Sequence, residues 1–399
     1  MKVLHLNYSD NGGTGLAIRR VLKELNNKID SKLYVSKKTS NDLHVKTFSD
    51  FQFLLGNFFR PKISLFFKLF SFDRKFTSTP AILQSRWLKT INESNCDIVN
   101  LHWINSEMMS IEEIGKINKK ICWTFHDMWP FCGGENISFD SRYVDGYLAD
   151  SKFKGFDYNA WMWKRKIKNW SNIKNIIAPS TNHKKLILNS KIFKNSNVEV
   201  IHNGIDLDLW KKNFLSTNVK QMQKIKILYV FTWGEEIKGL DLFQGILLNL
   251  KKNKINNYIL ILCGIFPKKF IRFLNSNQIE HKLYGMINDE KELIKVYSKA
   301  DFAIITSRAE TLPNIGIESL AMDLPLIAFN ETGSVDLIEN NYNGFLIKKF
   351  DVNEFAMRVK DLILNNNLRT GFSINSSKKK KFFCIKKISE KYIFLYNSL

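Results

Sequence analysis

Two carboxylates, Glu310 and Glu318, stand eight positions apart in the run Thr306-Ser307-Arg308-Ala309-Glu310-Thr311-Leu312-Pro313-Asn314-Ile315-Gly316-Ile317-Glu318. The apolar residues Phe302 to Thr306 read as a strand and those after Pro313 as a helix. Glu310 is therefore expected in a loop at the carboxyl end of a strand, where open α/β sheets bind their ligands. The amides of Asn314 and Ile315 would open the helix, a place suited to phosphate. Glu318, two turns along, could accept hydrogen bonds from ribose hydroxyls, a bidentate task that fits a carboxylate.

A second constellation is Trp123-Thr124-Phe125-His126-Asp127-Met128-Trp129-Pro130-Phe131, at the end of an expected strand from Ile121 to Phe125. A histidine there can act on a reacting group or pack as a polar side chain. His102, in Leu101-His102-Trp103-Ile104, lies one strand earlier and reads as structural or acceptor-side. Gly12 and Gly13 follow the first strand and precede a helix with Arg19 and Arg20. Their missing side chains would let the backbone approach a diphosphate or an acceptor. Lys238 and Gly239 come after another strand, Ile227 to Phe231. The five cysteines form no CxxC pair, and no His/Cys cluster offers metal ligands, so neither a metal nor a bound cofactor is expected.

The elements that position these residues alternate. Val3 to Leu6, Lys32 to Val35, Ile98 to His102, Ile121 to Phe125, Ile176 to Ala178 and Val198 to Ile201 read as strands separated mostly by helical patterns. His202-Asn203-Gly204-Ile205-Asp206 supplies turn residues for a junction. A second series begins at Ile227 and continues at Tyr258 to Cys263, Phe302 to Thr306, Leu324 to Phe329 and Gly344 to Ile347. The fold class is α/β with two Rossmann-like domains, at 1–205 and 206–370, followed by a basic segment at 371–399. In that segment a helix from Ser376 carries Phe382, Ile385, Ile388, Tyr392 and Leu395 on one stripe, long enough to cross back to the first domain.

The chain has 399 residues, enough for two cores, and its 60 Lys and Arg against 38 Asp and Glu give a net charge of +22. That excess favours anionic partners such as nucleotide phosphates, nucleic acid or acidic lipid. The start of the chain does not read as a signal peptide, and no uncharged apolar run reaches 18 residues, so a cytoplasmic protein without a spanning helix is expected. Two segments suggest a reversible hold on the inner face of a membrane. After Pro61, an aromatic helix over 61–76 has Ile63, Leu65, Phe66, Phe67, Leu69, Phe70 and Phe72 around a narrow polar stripe. The tail from Gly371 adds seven lysines against Glu390 alone.

The Glu310 to Glu318 segment resembles the E-x7-E donor motif of the family 4 retaining glycosyltransferases, of GT-B architecture. His126-Asp127 with Trp129 resembles the T-x-H-D-x-W segment of its colanic-acid and exopolysaccharide branch. Ile201-His202-Asn203-Gly204-Ile205-Asp206 resembles the inter-domain PNGID junction, with His202 where proline is usual, and Thr332-Gly333-Ser334 resembles the later TGG loop. The resemblance implies two domains facing a cleft, with the nucleotide-sugar donor mainly on the second and the acceptor on the first. Glu310 then contacts the transferred sugar, Glu318 the ribose, and His126 the reacting centre. The diphosphate falls to Lys238, the amides of Asn314 and Ile315, the Gly12-Gly13 loop and Arg308. Relatives carry an arginine where Trp233 stands. The implied function is retaining, metal-independent transfer of a hexose from a UDP- or GDP-sugar to a glycan or lipid-linked acceptor in capsule, exopolysaccharide or lipopolysaccharide biosynthesis, with the nucleotide-diphosphate sugar as co-substrate. Two rivals are a nucleotide-sugar epimerase of related fold and a basic nucleic-acid-binding protein. The first would not pair E-x7-E with T-x-H-D, and the second has no need of the glutamates, so no nucleic-acid partner is expected.

Overall fold

Short apolar runs bounded by Gly, Asn and Asp become strands, and the amphipathic stretches between them become helices. The computed structural model describes residues 1–48, 58–60, 62–63, 65–67, 79–139, 141–148, 156–211, 224–232 and 234–399. They divide into one unit of residues 1–202 with 388–399 and another of 203–387.

In the first unit seven strands, β1 (Lys2–Ser9), β2 (Asp30–Lys37), β3 (Val45–Lys46), β4 (Ile98–Leu101), β5 (Lys120–Thr124), β6 (Asn175–Ala178) and β7 (Asn197–Val200), lie in the order β3-β2-β1-β4-β5-β6-β7. All pairings are parallel. Parallel sheets are covered on both faces, and accordingly all four residues of β4 are buried. Trp123, Trp129 and Trp170 anchor one core, with Trp123 and Trp170 at 5.1 Å between ring centres. After β1 the chain turns at once into the helix Gly12–Leu25, where Asn11 caps the Gly12 amide at 2.8 Å.

The second unit repeats the plan with six parallel strands: β8 (Ile225–Phe231), β9 (Tyr258–Gly264), β10 (His281–Leu283), β11 (Phe302–Ile305), β12 (Leu326–Phe329) and β13 (Gly344–Ile347), in the order β10-β9-β8-β11-β12-β13. In each sheet the winding reverses beside its first strand, between β1 and β4 and between β8 and β11. Loops leaving the carboxyl ends of those strands diverge there, and the expected functional residues fall on them.

Two strands carry too little apolar signal to be read from sequence: β3, of two residues, and β10, His-Lys-Leu. The tail also departs from expectation. Instead of one helix from Ser376, there is a helix Asn366–Lys379, a tight turn at Lys380–Phe383 and a final helix Ile385–Ser398. The break comes where the chain pairs with the junction: Ile205 N donates to Phe383 O and Ile385 N to Ile205 O, both at 2.9 Å. Residues 371–387 thus belong to the second unit, and only 388–399 complete the first. Most of the aromatic segment 61–76 lies outside the described residues.

One glycine closes the β9 end. Gly264 has φ +115°, and a Cβ there would run into the Phe231 carbonyl. Gly371, within a helix, has open space around it. Gly264→Ala should lower stability by at least about 2 kcal/mol, whereas Gly371→Ala should raise it by roughly 0.5–1 kcal/mol. Urea midpoints followed by far-ultraviolet circular dichroism check both signs.

Candidate active site

In the second unit the loop after β11 carries Ser307, Arg308 and Glu310, and the loop after β8 carries Lys238. The two loops are laced through their backbones. Arg308 N donates to Ile237 O at 2.7 Å, and Thr306 Oγ1 donates to Lys238 O at 2.9 Å. Gly239, at φ +64°, passes so close to the Thr306 carbonyl that any side chain would clash, which is why glycine follows Lys238. Tyr229, fully buried on β8, shares a hydrogen bond with the Thr306 hydroxyl at 3.0 Å. This lacing brings the Lys238 ammonium onto Glu310 Oε1 as an ion pair, and Ser307 Oγ donates to the same oxygen at 3.1 Å.

Arg308 is engaged differently. Both of its terminal nitrogens meet the Asp241 carboxylate, at 2.7 and 2.6 Å, and one also reaches Glu236 O at 2.7 Å. The Asp241 partnership raises the Arg308 pKa and lowers that of Asp241. Its fork therefore ties the two loops together. Beyond Pro313, the helix Asn314–Ala321 begins without a side-chain cap, and helix geometry leaves its first amides, at Asn314 and Ile315, without intrahelical acceptors. Two turns along, Glu318 is buried and its Oε2 accepts the Tyr297 hydroxyl at 2.7 Å.

In the first unit His126 follows β5. Its Nε2 lies 3.0 Å from His102 Nδ1, and His102 Nε2 lies 2.9 Å from His5 Nδ1 on β1. Burial lowers all three, His5 and His126 to about 3, with His102 further depressed by the neighbouring imidazoles. His183 stands close by on the helix Thr181–Asn189 and is lowered to about 4 by burial, partly offset by a bond to the Asp127 backbone. The Asp127 carboxylate accepts Trp103 Nε1 at 2.7 Å, Asn105 Nδ2 at 3.0 Å and Trp129 N at 3.0 Å, while burial pushes its pKa up to about 7. Beneath this turn the buried Lys166 ammonium donates to the carbonyls of Trp129, Cys132 and Gly133, fixing the 129–133 backbone.

The structure thus brings Lys238 to Glu310 within the second unit, with Arg308, Asn314, Ile315 and Glu318 on the same loop and helix; Gly12, Gly13 and His126 belong to the first. Trp233 lies outside the described residues. Sequence reasoning passed over His5, His183, Asp241 and Tyr297, each a lone polar residue in an ordinary strand or helix pattern. It also passed over the one Asp-x-Asp triplet, Asp206-Leu207-Asp208, a spacing that can ligate divalent ions. Here Asp206 Oδ1 caps the Asp208 and Leu209 amides at 2.9 and 3.2 Å, and Asp208 pairs with Lys386 at 3.0 Å. Among the described residues no three His, Cys, Asp or Glu side chains converge to hold a metal ion.

Two family models match consecutive parts of the chain: Glycosyltransferase Family 4 over residues 11–209 and Glycosyl transferases group 1 over residues 211–379. An uncharacterised 41.2 kDa protein in the cps region of Klebsiella pneumoniae is 22% identical over 371 residues, 89% of this chain and 88% of that one. The capsular polysaccharide biosynthesis glycosyltransferase CapM of Staphylococcus aureus is 26% identical over 239 residues, and this chain spans 61% of its length. Among solved structures, Anabaena HepE in complex with UDP and glucose superposes with a TM-score of 0.66 at 16% identity, covering all of both chains, a likeness of fold. With two doubly wound parallel sheets in succession and both halves matched in that order, the chain belongs to the glycosyltransferases of GT-B type.

Proposed function

We propose that the chain is a retaining, metal-independent hexosyltransferase, closest to the colanic-acid and exopolysaccharide branch. It takes a hexose from a UDP- or GDP-sugar and adds it to a glycan or lipid-linked acceptor of a surface polysaccharide. The observation that carries this reading is the Lys238–Glu310 pair, held by the Gly239 approach on the loop that leads into the helix at Asn314. A sugar diphosphate meets there a fixed cation, two helix-start amides and a carboxylate beside its sugar. In further support, HepE is described in complex with UDP and glucose, and CapM is named for capsular polysaccharide.

As the bond from the anomeric carbon to phosphate breaks, Lys238 and the amides of Asn314 and Ile315 take the charge that builds on the diphosphate. Glu310 faces the positive charge developing on the ring, and Glu318, steadied by Tyr297, accepts from the ribose hydroxyls. The acceptor oxygen bonds the anomeric carbon on the face the phosphate leaves, and its proton passes to the departing phosphate oxygen. Atoms balance without an enzymic nucleophile. His126 faces the reacting sugar, and Gly12 and Gly13 admit the diphosphate or acceptor to the backbone. Arg308 holds the loops for Lys238 through Asp241.

Glu318→Ala should raise the Kd for UDP or GDP by about 10-fold or more, the loss of hydrogen bonds to a charged acceptor. Glu310→Gln and His126→Ala should leave nucleotide affinity within a few-fold and lower turnover by about 100-fold or more. The donor for these assays comes from a thermal-shift panel of UDP-, GDP- and ADP-sugars, since a ligand at ~100 times its Kd stabilises by roughly 2.7 kcal/mol. Normal turnover in both latter variants would defeat the assignment. Activity should persist in excess EDTA, because Lys238 and helix amides do the work of a divalent ion; activity lost to chelator and restored by manganese contradicts this.

The proposed location is the cytoplasm, with reversible attachment to the membrane face where lipid-linked acceptors lie. Among the described residues no helix is long and apolar enough to cross a membrane. Phe58, Phe59, Leu65 and Phe66 are each more than half exposed. Of the tail lysines, Lys380 is bonded to Asp323 and Lys386 to Asp208, which leaves fewer for lipid than the sequence counts. Vesicles rich in anionic lipid should co-sediment the protein at low salt and less of it at high salt. Protein that stays in the supernatant under both conditions ends the attachment reading alone.

A further inference from the structure

The three imidazoles His5, His102 and His126 form an unbroken row in which each nitrogen-to-nitrogen contact, 2.9 and 3.0 Å, is hydrogen-bond length. Such a contact needs one proton and only one: two bare nitrogens repel and two N–H groups clash. Burial holds the rings neutral, and no carboxylate is among the groups that shift them. A neutral imidazole has a single N–H, so the row has just two arrangements. In one, His5 Nδ1–H donates to His102 Nε2, His102 Nδ1–H donates to His126 Nε2, and the His126 hydrogen is on Nδ1. In the other every bond reverses, and His126 Nδ1 is bare.

The far end of the row chooses between them. His5 Nε2 is buried without a hydrogen-bond partner. Around it are the β1–β4 face and the side of Tyr396, whose ring centre is 6.2 Å from the imidazole and whose hydroxyl is taken up at 2.7 Å by Asn100 Nδ2. The reversed arrangement would leave an N–H at that blind end. Orphaned buried donors are rarer in folded proteins than under-used acceptors, and an unmet donor costs about 1–3 kcal/mol. We propose that His5 and His102 are positioning residues, which hold His126 in the tautomer protonated at Nδ1 and so present it to the reaction as a fixed hydrogen-bond donor rather than a base.

The role assigned to that donor rests on the transferase reading, in which the departing phosphate takes the acceptor proton and His126 is left to bind an oxygen of the reacting sugar or acceptor. Three buried imidazoles are costly to desolvate, and aromatic residues would fill the same space more cheaply. A fixed tautomer is what that cost obtains: an imidazole turned to the wrong one loses activity by orders of magnitude.

The test uses the full chain with histidine labelled by 15N in the ring, free of donor. Long-range proton–nitrogen spectra separate protonated from bare ring nitrogens, and single His→Gln variants assign the seven histidines. The expected result is a proton on Nδ1 and a bare Nε2 in His5, His102 and His126. Protons on Nε2 of His126 and His5, or a fast mixture at His126, overturns the proposal. In His102→Leu the His126 signals should move to a tautomer mixture, whereas in His102→Gln, whose amide can accept from His5 and donate to His126, they should stay. If His102→Leu does not fold, His5→Phe serves, with partial mixing at His126 expected. A His126 unchanged when the row is broken also overturns the proposal, because a purely structural role alters stability without moving the proton. With a donor identified, His102→Leu should lower kcat by about 10- to 100-fold at unchanged donor KM, and His102→Gln should recover most of it. Failure of the transferase reading would show instead as absent turnover in the unaltered protein, with the nitrogen spectra unaffected.

Discussion

A parallel strand pair cannot be closed by a tight turn, so every connection in both sheets must leave the carboxyl end, cross a face and return to the opposite edge. This constraint gathers residues far apart in the chain at one edge of each sheet. His5 and His102 are 97 positions apart and still share a hydrogen bond. Lys238 and Glu310 are separated by 72 positions and form an ion pair. In neither case does a dedicated segment bring the partners together; the crossover geometry alone does so, and the intervening helices bury the apolar faces that stabilise it.

On the second sheet the charged groups are set before any ligand arrives. Two backbone hydrogen bonds and the Gly239 approach fix the loops, and Asp241 neutralises Arg308 while pinning it. Lys238 meanwhile satisfies the part-buried Glu310. A diphosphate can draw the ammonium away without rebuilding the backbone, and cations fixed in advance stabilise developing charge without reorganising as it forms. On the first sheet polar order takes another form. Asn100 Oδ1 accepts the Thr124 hydroxyl at 3.1 Å while its amide meets Tyr396, so the buried polar face under the final helix is bonded through.

The alternation of apolar runs made both sheets legible, since a strand buried on both faces leaves a continuous apolar signal. The E-x7-E spacing and the strand-end His126 were legible too, because those residue types have a stated use in that position. His5 was not: in Val-Leu-His-Leu it is one polar residue in an apolar strand, and only register against Asn100 shows that it faces the His102 side. Asp241 was hidden for the opposite reason, as an acidic residue in the first turn of a helix needs no partner beyond the helix itself. Arg308 looked available for phosphate because its bidentate partner lies 67 positions away. The break in the final helix was invisible, since the bridge from Ile205 to Cys384 leaves no mark in the local pattern.

That break sends residues 388–399 back to the first unit, 186 positions after residue 202 (388 − 202). During synthesis at roughly 5–20 residues per second, the first sheet therefore waits on the order of 10–40 s for the helix that covers His5, Asn100 and Thr124. Until then a nascent chain displays a half-finished polar face and the apolar seats of Ile388, Tyr392 and Leu395. The two units cannot mature strictly in the order in which they are made, and the last element to leave the ribosome is the one that closes the first.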